Sequence, residues 1–493
     1  MTALLTRLIA FGWLALNGLL MVLSGCVGPN FHRPLPPLVG RFTAEPLAAT
    51  SGASQSIGGE PQRFLDGEDV PRNWWVLFGC DQLNALVEEA LRSNPSVAAA
   101  QAALRQAMEN TAAQRGGYFP AVLGAFAASR NLDALGVLSP TLSSPTSLYN
   151  LFTPQVTVSY VPDLFGGNHR AVESLAAQAE ASRYQLDATY LTLTANVVTM
   201  AIQEAGLRAQ ILGTEHEVEL ERESLAVLHR ELDLGAIPEV DVYAQEAVLA
   251  QLESTLPPLH KQLHQARNQL AILTGHLPTE FKPLTFELDQ LVLPKDLPLG
   301  VPSQLVERRP DVRAAEAQLH AATAQVGVAT ANLLPQITLT GSVGSTATVL
   351  TDLFKSGTGF WSLGANASQT LWAGGTLIHR KRAAEAALDQ AAAQYRSAVL
   401  TAFQNVADAL HALDADADSL NAASRAADAA QRNLGVVRQQ MTLGAVSYLA
   451  LVTAEQGYSQ SAVTLAQARS NRYADTAALF QALGGAVVPS GHQ

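Results

Sequence analysis

The sequence predicts a mixed α and β fold, in which long α-helical coiled coils continue into a transmembrane β-barrel assembled from several chains. Three observations predict it: two tandem repeats, Ala-rich segments with heptad spacing, and two strand-like runs in each repeat. Only 6% of the 493 residues are aromatic and 48% are apolar, which favours closely packed helices over a bulky globular core. The net charge of −12 argues against a nucleic-acid partner, because nucleic acid is bound by a basic surface.

The N-terminal segment has the plan of a secretory signal peptide, predicted over residues 1–25. Arg7 is the only charged residue before an apolar run over residues 8–23, and small residues follow, as in such signals. The run ends in Leu-Ser-Gly-Cys at Cys26, which resembles the bacterial lipoprotein box. We therefore expect a covalent lipid on Cys26 and no other cofactor, with an uncleaved membrane anchor as the alternative. Val27 follows instead of Asp, so the known inner-membrane retention signal is missing, which favours the outer membrane.

Membrane contacts other than the lipid are expected to use β-strands. No apolar stretch after Cys26 reaches the ~18 residues that a membrane-spanning helix needs. The second cysteine, Cys80, is expected to be a partly buried free thiol, and a Cys26–Cys80 disulfide is the formal alternative.

The strongest feature of the sequence is an internal repeat. Glycine-containing motifs recur in the same order at a nearly constant offset of 208 to 210 residues. The matched glycines are Gly167 with Gly375, Gly235 with Gly444, and Gly275 with Gly485. We therefore divide the mature chain into a lipidated extended arm (26–72), repeat one (73–276), a proline-rich linker (277–302) and repeat two (303–493).

Each repeat predicts the same series of elements. A helix begins at a proline, Pro95 or Pro310, which suits an early helical position, and a second proline 25 residues later ends it. Two strands with alternating apolar residues follow. They are predicted at 121–129 and 154–164 in repeat one, and at 336–343 and 360–371 in repeat two. Pro162 would mark a strand end or a bulge.

A very long helix follows each strand pair. The regions 167–234 and 375–443 contain no proline, and helices of this length would span about 100 Å. A turn at Gly235 or Gly444 then leads into another helix, predicted to have nearly forty residues.

The long helices carry apolar residues at alternating steps of four and three, which is the spacing of packed helices. In repeat two this stripe is Val399, Phe403, Val406, Leu410, Leu413, Ala417 and Leu420. In repeat one it is Leu186, Tyr190, Leu193, Val197, Met200, Glu204 and Leu207, with Glu204 as the polar interruption. We interpret both stripes as core packing.

Four strands per chain cannot close a barrel. An open sheet edge in lipid leaves backbone groups without partners, so other copies must complete the sheet. Two copies would give eight strands, whose interior fills with side chains, whereas three would give twelve, which is wide enough for a channel. The expected function is therefore a conduit from the periplasm through the outer membrane.

Six stretches together resemble one family: CVGPNFHRP, NWWVLFGCDQLNALVEEALRSNP, SYVPDLFGG, PSQLVERRPDVRAAEAQL, LWAGG with RKRAAEAALDQA, and AFQNVADAL. The chain resembles the outer-membrane efflux proteins, the TolC-like channel tunnels, in their NodT-like lipoprotein branch. The resemblance implies a homotrimer with a twelve-stranded barrel and an α-helical barrel, docked to a periplasmic adaptor protein and an inner-membrane RND-type transporter. The implied function is passive export of drugs or toxic solutes. A type I protein-secretion channel and a non-porous coiled-coil scaffold are the alternatives.

The resemblance also implies a gate and a docking surface near the turns. The family closes the periplasmic end with acidic rings, and the matching position is Asp241, although a helix-capping carboxylate is an equal interpretation. Repeat two has Ala450 and Thr453 at the equivalent positions, so its constriction is expected to differ and to use Met441 and Tyr448. The predicted adaptor contacts are Gly235, Ala236, Ile237, Gly444, Ala445 and Val446.

Enzymatic function is not expected. The sequence has no HExxH, GxSxG or P-loop motif and no Cys/His metal cluster. His216, His229 and His260 are interpreted as surface residues. Arg308, Arg309 and Asp311 resemble the structural RRPD box of the family.

Overall fold

A computed structural model describes residues 27–37, 39–45, 49–52, 56–132, 148–282 and 284–485. The predicted signal peptide and Cys26 lie outside the described residues. The described residues form two compact units that combine segments of both repeats. Unit 1 holds the described residues within 27–33, 105–181 and 316–394, and unit 2 holds those within 34–104, 182–315 and 395–485. The described part of the chain is mostly helical and contains β-sheet, as the sequence predicts, but the two-stranded sheet of β1 and β4 was not predicted.

The helices follow one another in the same order in both repeats. They are α1 (Asp81–Ser93), α2 (Pro95–Arg115), α3 (Gly167–Asp233), α4 (Glu239–Glu253), α5 (Leu256–Leu273), α6 (Pro302–Arg308), α7 (Pro310–Ala331), α8 (Thr376–Thr442) and α9 (Tyr448–Ala482). The strands are β1 (Arg63–Asp66), β2 (Ala121–Leu132), β3 (Leu148–Tyr160), β4 (Asp296–Gly300), β5 (Gln336–Ser345) and β6 (Gly359–Ser368). No helix in the described part of the chain combines the length and apolar character needed to cross a membrane.

Unit 1 contains a four-stranded antiparallel sheet in the order β2-β3-β5-β6. Pro162 lies beyond the end of β3, but the predicted start of this strand at Pro154 is wrong by six residues. Proline is tolerated inside β3 because the β3–β5 ladder is interrupted there, between the Phe152–Ala347 bridge and the Gln155–Gly344 pair. No ladder bond from Pro154 to β5 is therefore lost.

The long helices α3 and α8 have 67 residues each, which confirms the predicted pair. The second-repeat stripe is core: Val406, Leu413 and Leu420 are fully buried. In the first-repeat stripe Glu204 is also fully buried. It forms an ion pair of 3.0 Å with Arg267 of α5 and accepts a hydrogen bond from the Phe286 N–H. Glu204 therefore links α3 to α5 and to the linker.

The returning helix of repeat one is not continuous, contrary to the prediction of nearly forty residues. It is divided into α4, with 15 residues, and α5, with 18 residues. Pro257 and Pro258 explain the break, because proline lacks an N–H group and its ring clashes with the carbonyl four residues earlier. Both prolines lie in the first turn of α5, where these defects are harmless. In repeat two, α9 runs through 35 residues without interruption.

The arm and the linker meet in unit 2. Strand β1 of the arm pairs in parallel with β4 of the linker, a strand that the proline-rich sequence of the linker did not predict. Arg472 of α9 is fully buried beneath the arm and donates hydrogen bonds to Thr50 Oγ1 (3.1 Å) and to the Glu60 carbonyl (2.7 Å). The predicted extended arm therefore packs against repeat two.

Candidate functional site

The four-stranded sheet has two chemically different faces. Residues directly opposite one another share a face, so the register sorts the side chains. One row across β3, β5 and β6 is Val156, Val343 and Trp361, and the neighbouring row on the same face contains Val158 and Leu363. Val156, Val343 and Trp361 are 42%, 59% and 74% exposed. This face is therefore apolar and open to the surroundings.

The opposite face of the same three strands is polar. Thr157, Ser342 and Ser362 form one row across it, and Ser342 Oγ lies 2.7 Å from Ser362 Oγ. Leu123 on the neighbouring β2 is an apolar exception. An apolar face for lipid and a polar face for water is the alternation found in membrane β-barrels. The edge strands of the sheet are β2 and β6.

The turns after α3 and α8 have the same hydrogen bonds. The Gly235 N–H donates to the Leu232 carbonyl and the Ala236 N–H to the Glu231 carbonyl, both at 2.8 Å. In repeat two the corresponding donors are Gly444 and Ala445, and the acceptors are Met441 and Gln440, both at 2.9 Å. These bonds define a Schellman motif, which needs a residue in the left-handed conformation. Glycine meets that requirement in both turns, with φ of +72° and +69°.

The predicted gate residues lie in different environments around the turns. Asp241 is half-buried in the first turn of α4, and Ala450 is half-buried in the first turn of α9. Thr453 is exposed and donates to the Leu449 carbonyl at 2.8 Å. Met441 packs on the edge of an apolar core that includes Tyr448. The gating role of all five residues stays a prediction.

Tyr448 is held inside this core. Its side chain is 9% exposed, and its hydroxyl lies 2.8 Å from Ser224 Oγ of α3. Burial raises the pKa of the Tyr448 phenol, and the neighbouring Glu455 and Glu221 carboxylates raise it further. Tyr448 thus joins α9 to α3 as a neutral side chain.

Four of the six predicted adaptor contacts are exposed, namely Gly235, Ala236, Gly444 and Ala445. Ile237 packs against the apolar core and Val446 is half-buried. The exposed apolar side chains beside the turns were not predicted. Leu234 is 83% exposed and Leu443 is 77% exposed. Both directly precede the turn glycines, so a search for apolar residues next to Gly235 and Gly444 would have found them.

The RRPD box stabilises the fold of unit 2. The Arg309 guanidinium makes two parallel hydrogen bonds to Asp311, of 3.0 and 2.7 Å, and donates to the Ala482 carbonyl at 2.9 Å. Ala482 is the last residue of α9, whose final carbonyls lack partners within the helix. Arg309 therefore caps α9, and Arg308 forms a separate ion pair with Asp69.

The remaining histidine and cysteine side chains do not form a metal site in the described part of the chain. His229 and His260 lie 3.8 and 3.7 Å from Glu246 and Glu215, with about half of each side chain exposed. Within the described ranges, no three His, Cys, Asp or Glu residues are arranged to hold a metal ion. Cys80 is a buried free thiol.

The start of the arm docks on unit 1 through contacts that the sequence did not suggest. The Val27 N–H donates to the Phe165 carbonyl at 3.2 Å, and Arg170 Nη2 donates to Asn30 Oδ1 at 2.6 Å. Gly28 crosses α7 so closely at Gly327 that a Cβ on Gly28 would collide with the Gly327 backbone. The only sequence signal for this contact was a glycine inside the predicted helix.

The fold is that of a TolC-like outer-membrane channel subunit. Its defining features are the two proline-free helices α3 and α8, the matching glycine turns that lead from them into α4 and α9, and an antiparallel sheet with one apolar and one polar face. The family model of the outer membrane efflux protein matches residues 86–276 and 301–485. The chain belongs to the outer membrane efflux protein family, which confirms the resemblance seen in the sequence. Its function is that of the outer-membrane channel component of an efflux system.

Individual relatives agree with this assignment. The pyoverdine export outer membrane protein OpmQ of Pseudomonas aeruginosa is 29% identical, over 85% of this chain and 88% of the relative. The solvent efflux pump outer membrane protein SrpC of Pseudomonas putida is 29% identical, over 94% and 96%. The solved outer-membrane channel OprN has a TM-score of 0.82 at 29% identity, covering 94% of this chain and 99% of its own.

Proposed function

We propose that three copies of this chain form one passive conduit, with a twelve-stranded β-barrel continuous with an α-helical barrel. The conduit would export small molecules as part of a tripartite pump, without catalysing a reaction. The observation that carries this proposal is the sheet with one apolar and one polar face and two open edges, β2 and β6. In lipid these edges need backbone partners, which identical neighbouring copies can supply.

Purified full-length protein tests this proposal. We expect a trimer in detergent, by light scattering corrected for bound detergent, and ion conductance in planar bilayers. A monomer that passes no ions would contradict the proposal and favour a non-porous scaffold.

We propose further that a lipid on Cys26 anchors the arm. The docking of Val27 at Phe165, five residues beyond the end of β3, supports an anchor on the same side of unit 1 as the ends of the strands. Cells fed labelled palmitate should incorporate label into the wild-type protein. Cys26→Ser should abolish incorporation, whereas the matched control Cys80→Ser should retain it, and label in Cys26→Ser would overturn the assignment.

The two glycine turns are the proposed docking surface for the periplasmic adaptor, through which an inner-membrane RND-type transporter would be coupled. The exposure of both turns and of Leu234 and Leu443 supports this role. Gly444→Arg should lower drug resistance and adaptor pull-down without reducing the yield of trimer. Gly444→Asn is the matched control, because asparagine tolerates the left-handed conformation and adds little bulk. Full resistance with Gly444→Arg would exclude Gly444 from the docking surface.

Asp241 is the proposed gate residue, since three copies would place three carboxylates around one opening and favour cations. Asp241→Ala should change single-channel conductance and reduce cation selectivity. Glu239→Ala is the matched control, because Glu239 lies in the same first turn of α4. Unchanged conductance and selectivity in Asp241→Ala would leave Asp241 as a capping carboxylate.

A further inference from the structure

A polar cluster in unit 2 joins helices of both repeats. Its buried members are Glu217 and Glu221 of α3, Gln245 of α4 and Glu455 of α9. Arg438 of α8 borders the cluster, with 44% of its side chain exposed. The exposed fractions of Glu217, Glu221 and Glu455 are 5%, 3% and 5%, and Gln245 is fully buried. Carboxyl groups are almost never buried this deeply unless they are paired, so their partners define what the cluster can do.

The hydrogen bonds of the cluster leave one buried carboxyl oxygen without a donor. Arg438 Nη2 lies 3.2 Å from Glu455 Oε1, and Gln245 Nε2 donates to Glu221 Oε2. Glu455 Oε2 is buried and has no hydrogen-bond partner. The Glu221 and Glu455 carboxyl groups line one groove, and each influences the pKa of the other. Because ionised carboxylates only accept hydrogen bonds, a bond between them needs a proton on one of the two.

The charges around the pair also favour this proton. The groups that act directly on the pair are Glu217 of α3, Gln245 of α4 and Arg438 of α8. Tyr448 of α9 also neighbours both carboxyl groups. Beyond them, His216 neighbours Glu217, and Ser224 and Glu231 neighbour Tyr448. Three carboxyl groups thus face one guanidinium, and full ionisation would bury uncompensated negative charge. Burial, and then the Glu455 carboxylate, raise the pKa of Glu221 to about 7. Burial also raises the pKa of Glu455 and of Glu217.

A groove beside the pair provides a route for the proton. The groove lined by Glu221 and Glu455 has a volume of about 610 Å³. Thr255 and Pro258, at the break between α4 and α5, line the same groove. Water in the groove can therefore exchange protons with the pair.

We propose that one proton shared by Glu221 and Glu455 holds α3 of repeat one against α9 of repeat two, and that loss of this proton releases the contact. Glu455 lies seven residues after the first residue of α9, about 10 Å along the helix. The proton therefore acts close to the turn that precedes α9. The inference concerns the packing of two helices within one chain and holds whether or not the chain conducts ions.

The direction of the pH effect follows from the raised pKa. In the packed state the pKa of Glu221 is about 7, against an ordinary value of 4.5, so the packed state binds the proton more tightly than the separated state. The contact is strongest below about pH 4.5 and weakens as the pH rises through about 7. Each pH unit inside that window changes the local opening equilibrium by up to about tenfold.

Hydrogen–deuterium exchange of the full-length protein in detergent tests the proposal. Exchange of residues 448–458, corrected for the intrinsic pH dependence of the chemistry, should be at least about tenfold faster at about pH 8 than at about pH 5. Glu221→Gln should keep slow exchange at both pH values. Its amide can donate to Glu455 and accept from Gln245, as the protonated acid does. The matched control is Glu219→Gln on the same helix, whose side chain is 65% exposed, and it should behave as wild type.

Two results would overturn the proposal. One is equal corrected exchange of the wild-type protein at the two pH values, a comparison that needs no variant. The other is an unchanged pH dependence in Glu221→Gln. If Glu221→Gln does not fold, the double variant Arg438→Gln with Glu455→Gln removes the cation together with its partner. Its exchange should also lose the pH dependence, and retention would count against the shared proton.

Discussion

Gly235 and Gly444 hold the same left-handed backbone conformation, with φ of +72° and +69°, at the ends of two 67-residue helices. A Cβ on either glycine would meet no atom within 4 Å. Glycine is therefore required by the backbone conformation and not by crowding. The two turns are equivalent although the sequences around them differ, and this equivalence sets the first prediction.

We expect Gly235→Ala and Gly444→Ala each to destabilise the protein by about 1 kcal/mol, because a Cβ is unfavourable in the left-handed region. Gly435 lies inside α8, also in open space, so Gly435→Ala should stabilise by about 0.5–1 kcal/mol through helix propensity. Denaturant unfolding in detergent measures all three. A stability change of the same sign at Gly435 and Gly444 would contradict this account.

The cap that Arg309 places on α9 gives a second prediction. Arg309→Lys should destabilise by about 1–3 kcal/mol, because lysine cannot reproduce the two parallel bonds to Asp311 together with the bond to the Ala482 carbonyl. The Arg308 side chain is 35% exposed and its partner Asp69 is 66% exposed. Arg308→Lys should therefore change stability by less than about 1 kcal/mol. Thermal unfolding of the two variants side by side measures the difference, and equal effects would argue against the cap.

The crossing of Gly28 over Gly327 gives a third prediction. A Cβ on Gly327 would lie 2.8 Å from Arg170 Cγ and 3.0 Å from the Val27 carbonyl oxygen, so Gly327→Ala should displace the start of the arm. The control is Gly213→Ala, at a helical glycine with open space around it, which should be neutral or slightly stabilising. Limited proteolysis of residues 27–33 should be faster only in Gly327→Ala. Equal cleavage of both variants would show that the close crossing does not hold the arm.

A second carboxyl pair gives a prediction about pH. Burial, followed by the hydrogen bond and charge of Asp475, raises the pKa of Asp416 from 3.8 to about 7. Because the folded state binds this proton more tightly, the contribution is present below about pH 3.8 and is lost as the pH rises through about 7. The thermal midpoint should fall with rising pH in wild type, and less steeply in Asp416→Asn. Asp408→Asn, at an exposed position of α8, should follow wild type, and parallel curves for all three proteins would refute the assignment.

Local signals in the sequence were sufficient to predict most of the helices and strands. The absence of proline predicted two long helices, and glycine marked where each of them ends. The Pro257-Pro258 pair was equally visible but was not used, so the break between α4 and α5 was missed. Strand β4 could not be predicted in the same way, because its partner β1 is distant in the chain. For example, the hydrogen bond from Arg63 to Asp296 joins residues that are 233 positions apart in the sequence.

The sequence contained a partial signal for the buried carboxyl groups. Glu221 continues the four-three spacing of the first-repeat stripe through Ile211, Thr214 and Val218, all of which are buried. A carboxylate at a core position of a coiled coil is a reason to look for a partner. Which partner it has depends on the side-by-side placement of α3 and α9, and no local pattern encodes that placement.

The sequence by itself determined the repeat, the two long helices, the turns that end them and the strands of the four-stranded sheet, because these depend on backbone restrictions of proline and glycine and on the periodicity of apolar residues. Only the tertiary structure decided which polar groups meet in the interior: Glu204 with Arg267, Arg309 with the end of α9, and Glu221 with Glu455. The physical reason is that the ionisation of a carboxyl group depends on its burial and on its neighbours, and both are set by packing between residues far apart in the chain.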